Sequence, residues 1–383
     1  MASTEDTLSA VEKHLETHPD DAAAWNVRGV LLANMESFGE ALRCFDRSIR
    51  LESTRPEAHL NRGRVLLSLG DDKAIEALKS FDRAMELKPG DLDVLRDKAR
   101  ALRILGRSRE ELMCYVAIVK ISADEWPIWL RMGNIYLESG QFDRALKHYD
   151  RALAIDEKLV PALVHRAVAL SMLKRWKDAI KSAEAATKLS PEDIETWRIL
   201  ADANLRAGKY KSAKKALKKA SELDPEDAAV ELTLGMVEYK DGRPKDAIRH
   251  FKRALIRRKN YPAAWRNLAM THMELEEWDE ARIAWEKLVS VVKDDPMVFD
   301  AQATTYARLD DFCSAADAWE SARKLYKKKG DAVEAQRVTN LGRAARINCS
   351  RQKKAARAQR EHDKAKRTFD DRFELRRKKK DDQ

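Results

Sequence analysis

Residues 129–152 read WLRMGNIYLESGQFDRALKHYDRA, and this stretch contains the pattern from which most of the chain is built. Its apolar and small residues recur at spacings of three, four and seven, the period at which side chains share one face of an α-helix. Gly140 interrupts the pattern, so the stretch predicts two short helices joined by a turn. Each helix has one apolar stripe, and a single pair cannot bury both stripes without neighbours.

The same pattern recurs with a period of 34 residues, apart from one step of 36 near Asp71 and Asp72. Each unit has three marker positions. The first is bulky in most units, the second lies four positions later and is always small, and the third lies in the second helix and is apolar, in most units aromatic. Small residues let helix backbones approach, and large rings fill the space where the helices diverge. The bulky column is Trp25, His59, Leu95, Trp129, Leu163, Trp197, Glu231, Trp265 and Phe299; the small column is Gly29, Gly63, Ala99, Gly133, Ala167, Ala201, Gly235, Ala269 and Ala303; the third column is Phe45, Phe81, Tyr115, Tyr149, Ala183, Leu217, Phe251, Trp285 and Trp319.

Two glutamates interrupt these columns. Glu231 stands in the bulky column, and Glu111 stands in a further column that is otherwise Ala. We expect locally disturbed packing at both positions, because a buried carboxylate needs a partner.

The columns resemble the tetratricopeptide repeat (TPR), whose pattern is W-x2-L-G-x2-Y followed by A-x3-F and a terminal P. The resemblance implies an all-α fold, a right-handed superhelical solenoid of about nine TPR helix-turn-helix units with capping helices and a basic C-terminal tail. The expected organisation is an N-terminal capping half-repeat at 1–21, nine TPR units at 22–329, a C-terminal solvating helix at 330–348, and a basic charged tail, helical or disordered, at 349–383.

The formal charge of +10 is concentrated in the tail. From Arg343 onward there are 16 Lys and Arg against 7 Asp and Glu, so the rest of the chain is nearly neutral. Such a segment could contact the phosphates of RNA or DNA, or another acidic surface, or it could merely aid solubility.

The cysteines at 44, 114, 313 and 349 are far apart and form no CxxC pair, so the sequence indicates neither a disulfide framework nor a zinc site. The N-terminus lacks the basic and apolar pattern of a secretory signal, and no apolar stretch approaches the ~18 residues of a membrane span. We therefore expect a cytoplasmic protein in a reducing environment.

The resemblance implies that the first helix of each unit lines a concave groove that holds a peptide. By helical register, an Arg-rich zone of this groove is predicted to bind an acidic peptide or another anion, since guanidinium groups on adjoining helices repel unless they share one. The alternative is that these arginines are simply solvated. The Arg-rich zone consists of Arg64, Arg96, Arg100, Arg103 and Asn134.

Further along the chain, the same register becomes apolar. Methionine adapts to partners of varied shape, so we predict an apolar zone of the groove, with core packing as the alternative. The apolar zone consists of Leu232, Met236, Tyr239, Met270 and Met273.

Catalytic, cofactor and metal motifs are lacking: no HExxH, GxSxG, GxGxxG or P-loop pattern occurs, and His14 and His18 have no third ligand nearby in the sequence. We expect no enzyme activity and no cofactor. The predicted function is a protein–protein interaction scaffold that binds peptide segments in the groove during complex assembly. The alternative is an adaptor for nucleic acid or the ribosome, anchored by the basic tail.

Overall fold

The computed structural model describes the backbone of residues 4–381 and the side chains of residues 4–367. All regular structure within the described range is helical. The chain divides into two compact units, residues 1–190 and residues 191–383. The tail residues Phe369, Phe373 and Leu375 and the basic run 376–380 have side chains outside the described residues, as does the extreme N-terminus at residues 1–3.

The first unit contains a single helix followed by five helix pairs. The single helix is α1 (Thr4–Thr17). The pairs are α2 (Ala22–Asn34) with α3 (Phe38–Leu51), α4 (Pro56–Leu69) with α5 (Ala74–Leu87), α6 (Leu92–Ile104) with α7 (Ser108–Ile121), α8 (Trp126–Glu138) with α9 (Phe142–Ile155), and α10 (Val160–Met172) with α11 (Trp176–Leu189).

The second unit contains four helix pairs followed by a long single helix. The pairs are α12 (Ile194–Arg206) with α13 (Tyr210–Leu223), α14 (Ala228–Lys240) with α15 (Pro244–Arg257), α16 (Pro262–Glu274) with α17 (Trp278–Val291), and α18 (Pro296–Arg308) with α19 (Phe312–Lys328). The last helix is α20 (Ala332–Asp381). In the described range the nine predicted pairs and both terminal helices are therefore present.

The turn within each pair needs one residue with a left-handed backbone. Gly140 supplies it between α8 and α9, with a φ of 72°, and Gly242 supplies it between α14 and α15, with a φ of 77°. Elsewhere residues with side chains adopt the same conformation, with φ between 57° and 59°. These residues are Glu36, Lys174, Glu276 and Asp310. The packing of the helices therefore imposes the turn even where glycine is absent.

The extra residues of the 36-residue step form a short 3-10 helix, Asp71–Lys73, between α4 and α5. Its three residues are exposed, and α5 begins directly after it with the buried Ala74. The insertion is thus accommodated in the turn, outside the packed helices.

The small and aromatic columns meet inside each pair. A Cβ built on Gly133 would lie 2.5 Å from Cε1 of Tyr149, and one built on Gly29 would lie 2.6 Å from Cε1 of Phe45. Tyr149 and Phe45 are fully buried. Glycine is required at these positions because the ring occupies the space of any side chain.

Contrary to expectation, the two glutamates that interrupt the columns are packed and paired. Glu111 is fully buried and accepts hydrogen bonds from Arg131 Nε (2.9 Å) and the Tyr115 hydroxyl (3.1 Å). Glu231 is 5% exposed and contacts His250 and Arg257, each at 2.7 Å. Tyr115 lies one turn along α7 from Glu111, and the charged partners Arg131, His250 and Arg257 lie on the next helix, so the carboxylates do not disturb the core.

Cys313 and Cys349 form a disulfide, with a Cα–Cα distance of 4.9 Å, so the prediction that the cysteines are unbonded is wrong for this pair. Cys313 lies at the start of α19 and Cys349 lies within α20, which packs along α19. A separation of 36 residues gives no local signal of this contact. Cys44 and Cys114 are free and buried, and burial raises the pKa of both thiols.

Helix α20 continues through the boundary that the sequence placed at residue 348. Its first part packs on α19 through Ala335, Val338 and Ala345. The Gln352 amide donates a hydrogen bond to the Asp310 carbonyl (2.8 Å), and the side chains from 353 to 367 are exposed. No helix in the described part of the chain has the length and apolar character needed to cross a membrane.

Candidate functional site

Within residues 1–190, ion pairs join the first helix of one helix pair to the first helix of the next pair. Arg64 on α4 donates through Nε to Asp97 on α6, at 2.5 Å. Arg96 on α6 donates to Glu125, the residue before α8, at 2.8 Å, and to Asp93 at 3.2 Å. The hydrogen bond with Glu125 raises the pKa of Arg96. The face built by these first helices is therefore lined by internally paired charges.

This pairing changes the predicted Arg-rich zone. Arg64 and Arg96 are paired with carboxylates of the chain itself, so the expected repulsion between guanidinium groups is removed for these two of the four arginines. The Asn134 side-chain oxygen accepts a hydrogen bond from the Tyr149 hydroxyl (2.9 Å). Arg100 and Arg103 remain exposed on α6, with no ion pair to the described side chains. They are the part of the zone that is open to an external anion.

Only some residues of the predicted apolar zone line a cavity, and the others are packed elsewhere. Met236, Tyr239 and Met270 line a cavity of about 500 Å³ between the first helices α12, α14 and α16. Met236 is 36% exposed and Met270 is 52% exposed. Leu232 is 8% exposed and belongs to the hydrophobic core, so it does not face the groove. Met273 is not among the residues that line the cavity, and its sulfur accepts a hydrogen bond from the Trp285 indole (3.2 Å).

Polar groups that the sequence prediction did not include complete this cavity. Asp202, Arg206 and Asn267 are among its lining residues, and Arg206 Nε donates to Asp202 at 2.7 Å. Asp202 directly follows a residue of the small column, as Met236 and Met270 do in their own repeats. The register used to select the methionines would therefore also have selected Asp202.

One side of the cavity is held by a bond between first helices. The Tyr239 hydroxyl donates to the Glu274 carboxylate, and this hydrogen bond raises the pKa of Tyr239. The Lys240 ammonium lies 5.6 Å from the centre of the Tyr239 ring. The cavity thus combines apolar side chains with hydrogen-bonded polar groups at its edge, a combination common in ligand-binding pockets.

Metal-ligand arrangements do not occur among the described side chains, where no group of three or more His, Cys, Asp or Glu residues converges. The ring of His14 stacks on His18 with 4.5 Å between centroids, and its Nε2 contacts Asp21 Oδ2 at 2.9 Å.

Three family models match the sequence. The model of the C-terminal domain of cilia and flagella-associated protein 70 matches residues 91–259. Two tetratricopeptide-repeat models match residues 31–91 and 238–304.

Individual proteins match over part of their length. The tetratricopeptide repeat-containing protein trd-1 of Caenorhabditis elegans is 27% identical over 143 residues, which are 37% of this chain and 18% of that protein. Anaphase-promoting complex subunit 3 of Schizosaccharomyces pombe is 22% identical over 186 residues, which are 49% of this chain and 28% of that protein. The chain therefore spans less than a third of the length of either relative.

Similarity to a solved structure supports the fold. The crystal structure of yeast Tom70 has a TM-score of 0.54 and 15% sequence identity to this chain, and the match covers 91% of this chain and 86% of that one. The repeated columns, the helix pairs and the matching repeat models agree with one another. The chain is a member of the tetratricopeptide-repeat family.

Proposed function

We propose that this protein is a non-catalytic protein–protein interaction scaffold, and that it binds a peptide segment of its partner in the cavity between α12, α14 and α16. The observation that carries the proposal is the exposure of Met236 and Met270 on adjoining first helices, where they line one cavity. Apolar side chains exposed together are costly in water unless a partner covers them. The thioether side chains can adapt to the shape of that partner.

The lining of the cavity indicates the kind of peptide that fits. Its volume of about 500 Å³ lies within the range of about 300–1,000 Å³ that is usual for ligand-binding clefts. Asp202, Arg206 and Asn267 offer both hydrogen-bond donors and acceptors at its edge. We infer that a peptide anchors one apolar side chain between the methionines and satisfies its polar groups at this edge.

Photo-cross-linking tests the proposal. The full chain is expressed in cells of the source species with benzoylphenylalanine in place of Met270. A matched control carries benzoylphenylalanine in place of Met297. Met297 is 64% exposed on α18 and is not among the lining residues. We expect a protein partner to cross-link at 270 and not at 297, and Met236→Glu to abolish this cross-link. Equal labelling at both positions, or at neither, would contradict the proposed site.

Assembly of a complex is the finer part of the proposal. The relative from Schizosaccharomyces pombe is by name a subunit of a complex, and repeat arrays offer long surfaces to several segments. If the chain assembles complexes, one cross-linked particle contains two different partners, which size-exclusion chromatography with mass spectrometry would reveal. A single partner at a 1:1 ratio would restrict the function to simple binding.

The second candidate function is anchoring to nucleic acid or the ribosome, and the observation in its favour is the exposed basic part of α20. Among the described side chains, Lys353, Lys354 and Arg360 are exposed and form no ion pair. Deletion of residues 353–383 retains Cys349, which is bonded to Cys313 of α19, and Gln352, which bonds the turn before α19. Anchoring predicts salt-sensitive RNA binding that this deletion abolishes, whereas the scaffold function predicts an unchanged cross-link at 270.

The predicted cytoplasmic location remains a proposal, and the Cys313–Cys349 bond provides its test. Disulfides are rare in reducing compartments. Cells are quenched in acid to stop thiol exchange and are then alkylated in denaturant at neutral pH; both thiols should be alkylated, and thus reduced, if the protein is cytoplasmic.

A further inference from the structure

Helix α7 is apolar on more of its circumference than its neighbours can bury. Cys114, Tyr115 and Ile118 are buried on the packed side. On the other side Met113 is 67% exposed and Ile121 is 57% exposed. Residues 112–119 of α7 form an unbroken apolar run, and a helical segment that is apolar all round is expected to be covered on all sides, so the exposed face of α7 lacks a partner among the described residues.

This exposed face is one wall of a groove of about 910 Å³ in the first unit. The opposite wall is formed by the end of α8 and the start of α9. We call this surface the α7 groove. Its walls include Met113, Val116 and Ile121 of α7, Ile135 and Tyr136 of α8, and Arg144 of α9.

The charge of the α7 groove is of one sign. Arg109, Lys120 and Arg144 line it, and no Asp or Glu is among its lining residues. None of these three cations forms an ion pair with the side chains that the structure describes. Arg144 lies 5.7 Å from the centre of the Tyr136 ring and donates to the Gln141 side-chain oxygen (2.8 Å), both neutral groups. The groove therefore leaves its positive charge uncompensated.

An occupant of the α7 groove must satisfy its own backbone. The groove walls are helices whose backbone groups are bonded internally, so they offer no sheet edge to an extended peptide. An α-helix meets this condition, and an apolar stripe along it would cover Met113, Val116 and Ile121. Acidic residues beside the stripe would then face Arg109, Lys120 and Arg144.

We propose that the α7 groove binds an amphipathic α-helix of a partner protein in which Asp or Glu residues flank the apolar stripe. A second copy of the chain fits less well, because a two-fold contact through this face would place the same three cations against one another. The α7 groove lies in the first unit and the proposed peptide cavity lies in the second, so the two proposals stand independently.

Selection from a displayed library of 18-residue helical peptides tests the proposal on the full chain. We expect enriched peptides to carry an apolar stripe flanked by Asp or Glu. For these peptides Met113→Glu should weaken binding by about tenfold or more, because it puts a carboxylate into the apolar contact. Met297→Glu is the matched control, since Met297 is similarly exposed on α18, and it should change the affinity less than about twofold.

Charge reversal gives the second arm of the test. Arg109→Glu combined with Lys120→Glu should shift the preference from Glu-flanked peptides to the same peptides with Lys in place of Glu. Enriched peptides that bind the Met113→Glu variant unchanged would overturn the proposal. So would enriched peptides without acidic flanks, or a dimer in sedimentation equilibrium that Met113→Glu dissociates.

Discussion

Gly133 and Tyr149 illustrate how single residues define the repeat. The ring of Tyr149 lies so close to the Gly133 Cα that no side chain fits between them. Gly39 in α3 has no neighbouring atom within 4 Å of a built Cβ. The same residue type therefore has opposite value at the two positions, because one glycine makes room for a ring and the other leaves a helix unnecessarily flexible.

Gly133→Ala should lower the free energy of unfolding by about 1–3 kcal/mol, because the new methyl group forces the Tyr149 ring or the helices apart. Gly39→Ala should raise it by about 0.5–1 kcal/mol through the higher helix propensity of alanine. Denaturant titrations of both variants provide the comparison. Equal effects of the two substitutions would contradict the packing role of Gly133.

Glu111 should be required where the repeat pattern favours alanine. Glu111→Ala removes the partner of Arg131 and of the Tyr115 hydroxyl, and we expect a loss of about 2–4 kcal/mol in the free energy of unfolding. Burial, together with Glu111, raises the pKa of Tyr115 to about 12. Glu111→Gln should therefore lower this pKa in a spectroscopic titration. An alanine variant as stable as the parent chain would show that the carboxylate is dispensable.

At the scale of elements, α8 and α9 are joined by stacked rings. The His148 ring on α9 lies 5.6 Å from the Trp129 ring and 5.1 Å from the Tyr136 ring, both on α8. Its Nδ1 is buried and has no hydrogen-bond partner. His165 on α10 stacks on Tyr149 at 6.0 Å. Burial lowers the pKa of both histidines, so the packed helices favour neutral imidazole.

The stability of the first unit should therefore fall under mild acid. Above the ordinary histidine pKa of 6.5, both side chains are neutral in the folded and in the unfolded chain, so their protonation does not change the free energy of unfolding. Below it the unfolded chain binds protons that folded His148 and His165 resist, so the free energy of unfolding falls until their lowered pKa is reached. Hydrogen exchange at α9 between pH 8 and 5.5 measures this loss. His148→Phe should reduce it, and an unchanged pH dependence would count against the burial effect.

At the scale of the whole molecule, the sequence predicted the helices that recur in every repeat and missed the side-chain contacts between repeats. Helix positions followed from columns that each unit builds in the same way. The partners of Arg64 and Arg96 come from the next repeat, 33 and 29 residues along the chain. The repeated columns do not indicate where these charged residues lie. Cys313 meets Cys349 because α20 folds back along α19, and no local pattern records that contact. The α7 groove was missed because the pattern predicts which residues can pack and does not show which faces stay bare.

The short 3-10 helix Asp71–Lys73 has a practical consequence for work on this protein. Two added residues are absorbed there while the flanking helices keep their core contacts. Loop closure becomes only slowly more costly as a loop grows, and exposed turns tolerate added sequence well. This turn is therefore a suitable place to insert an affinity tag or a fluorophore without altering either proposed binding surface.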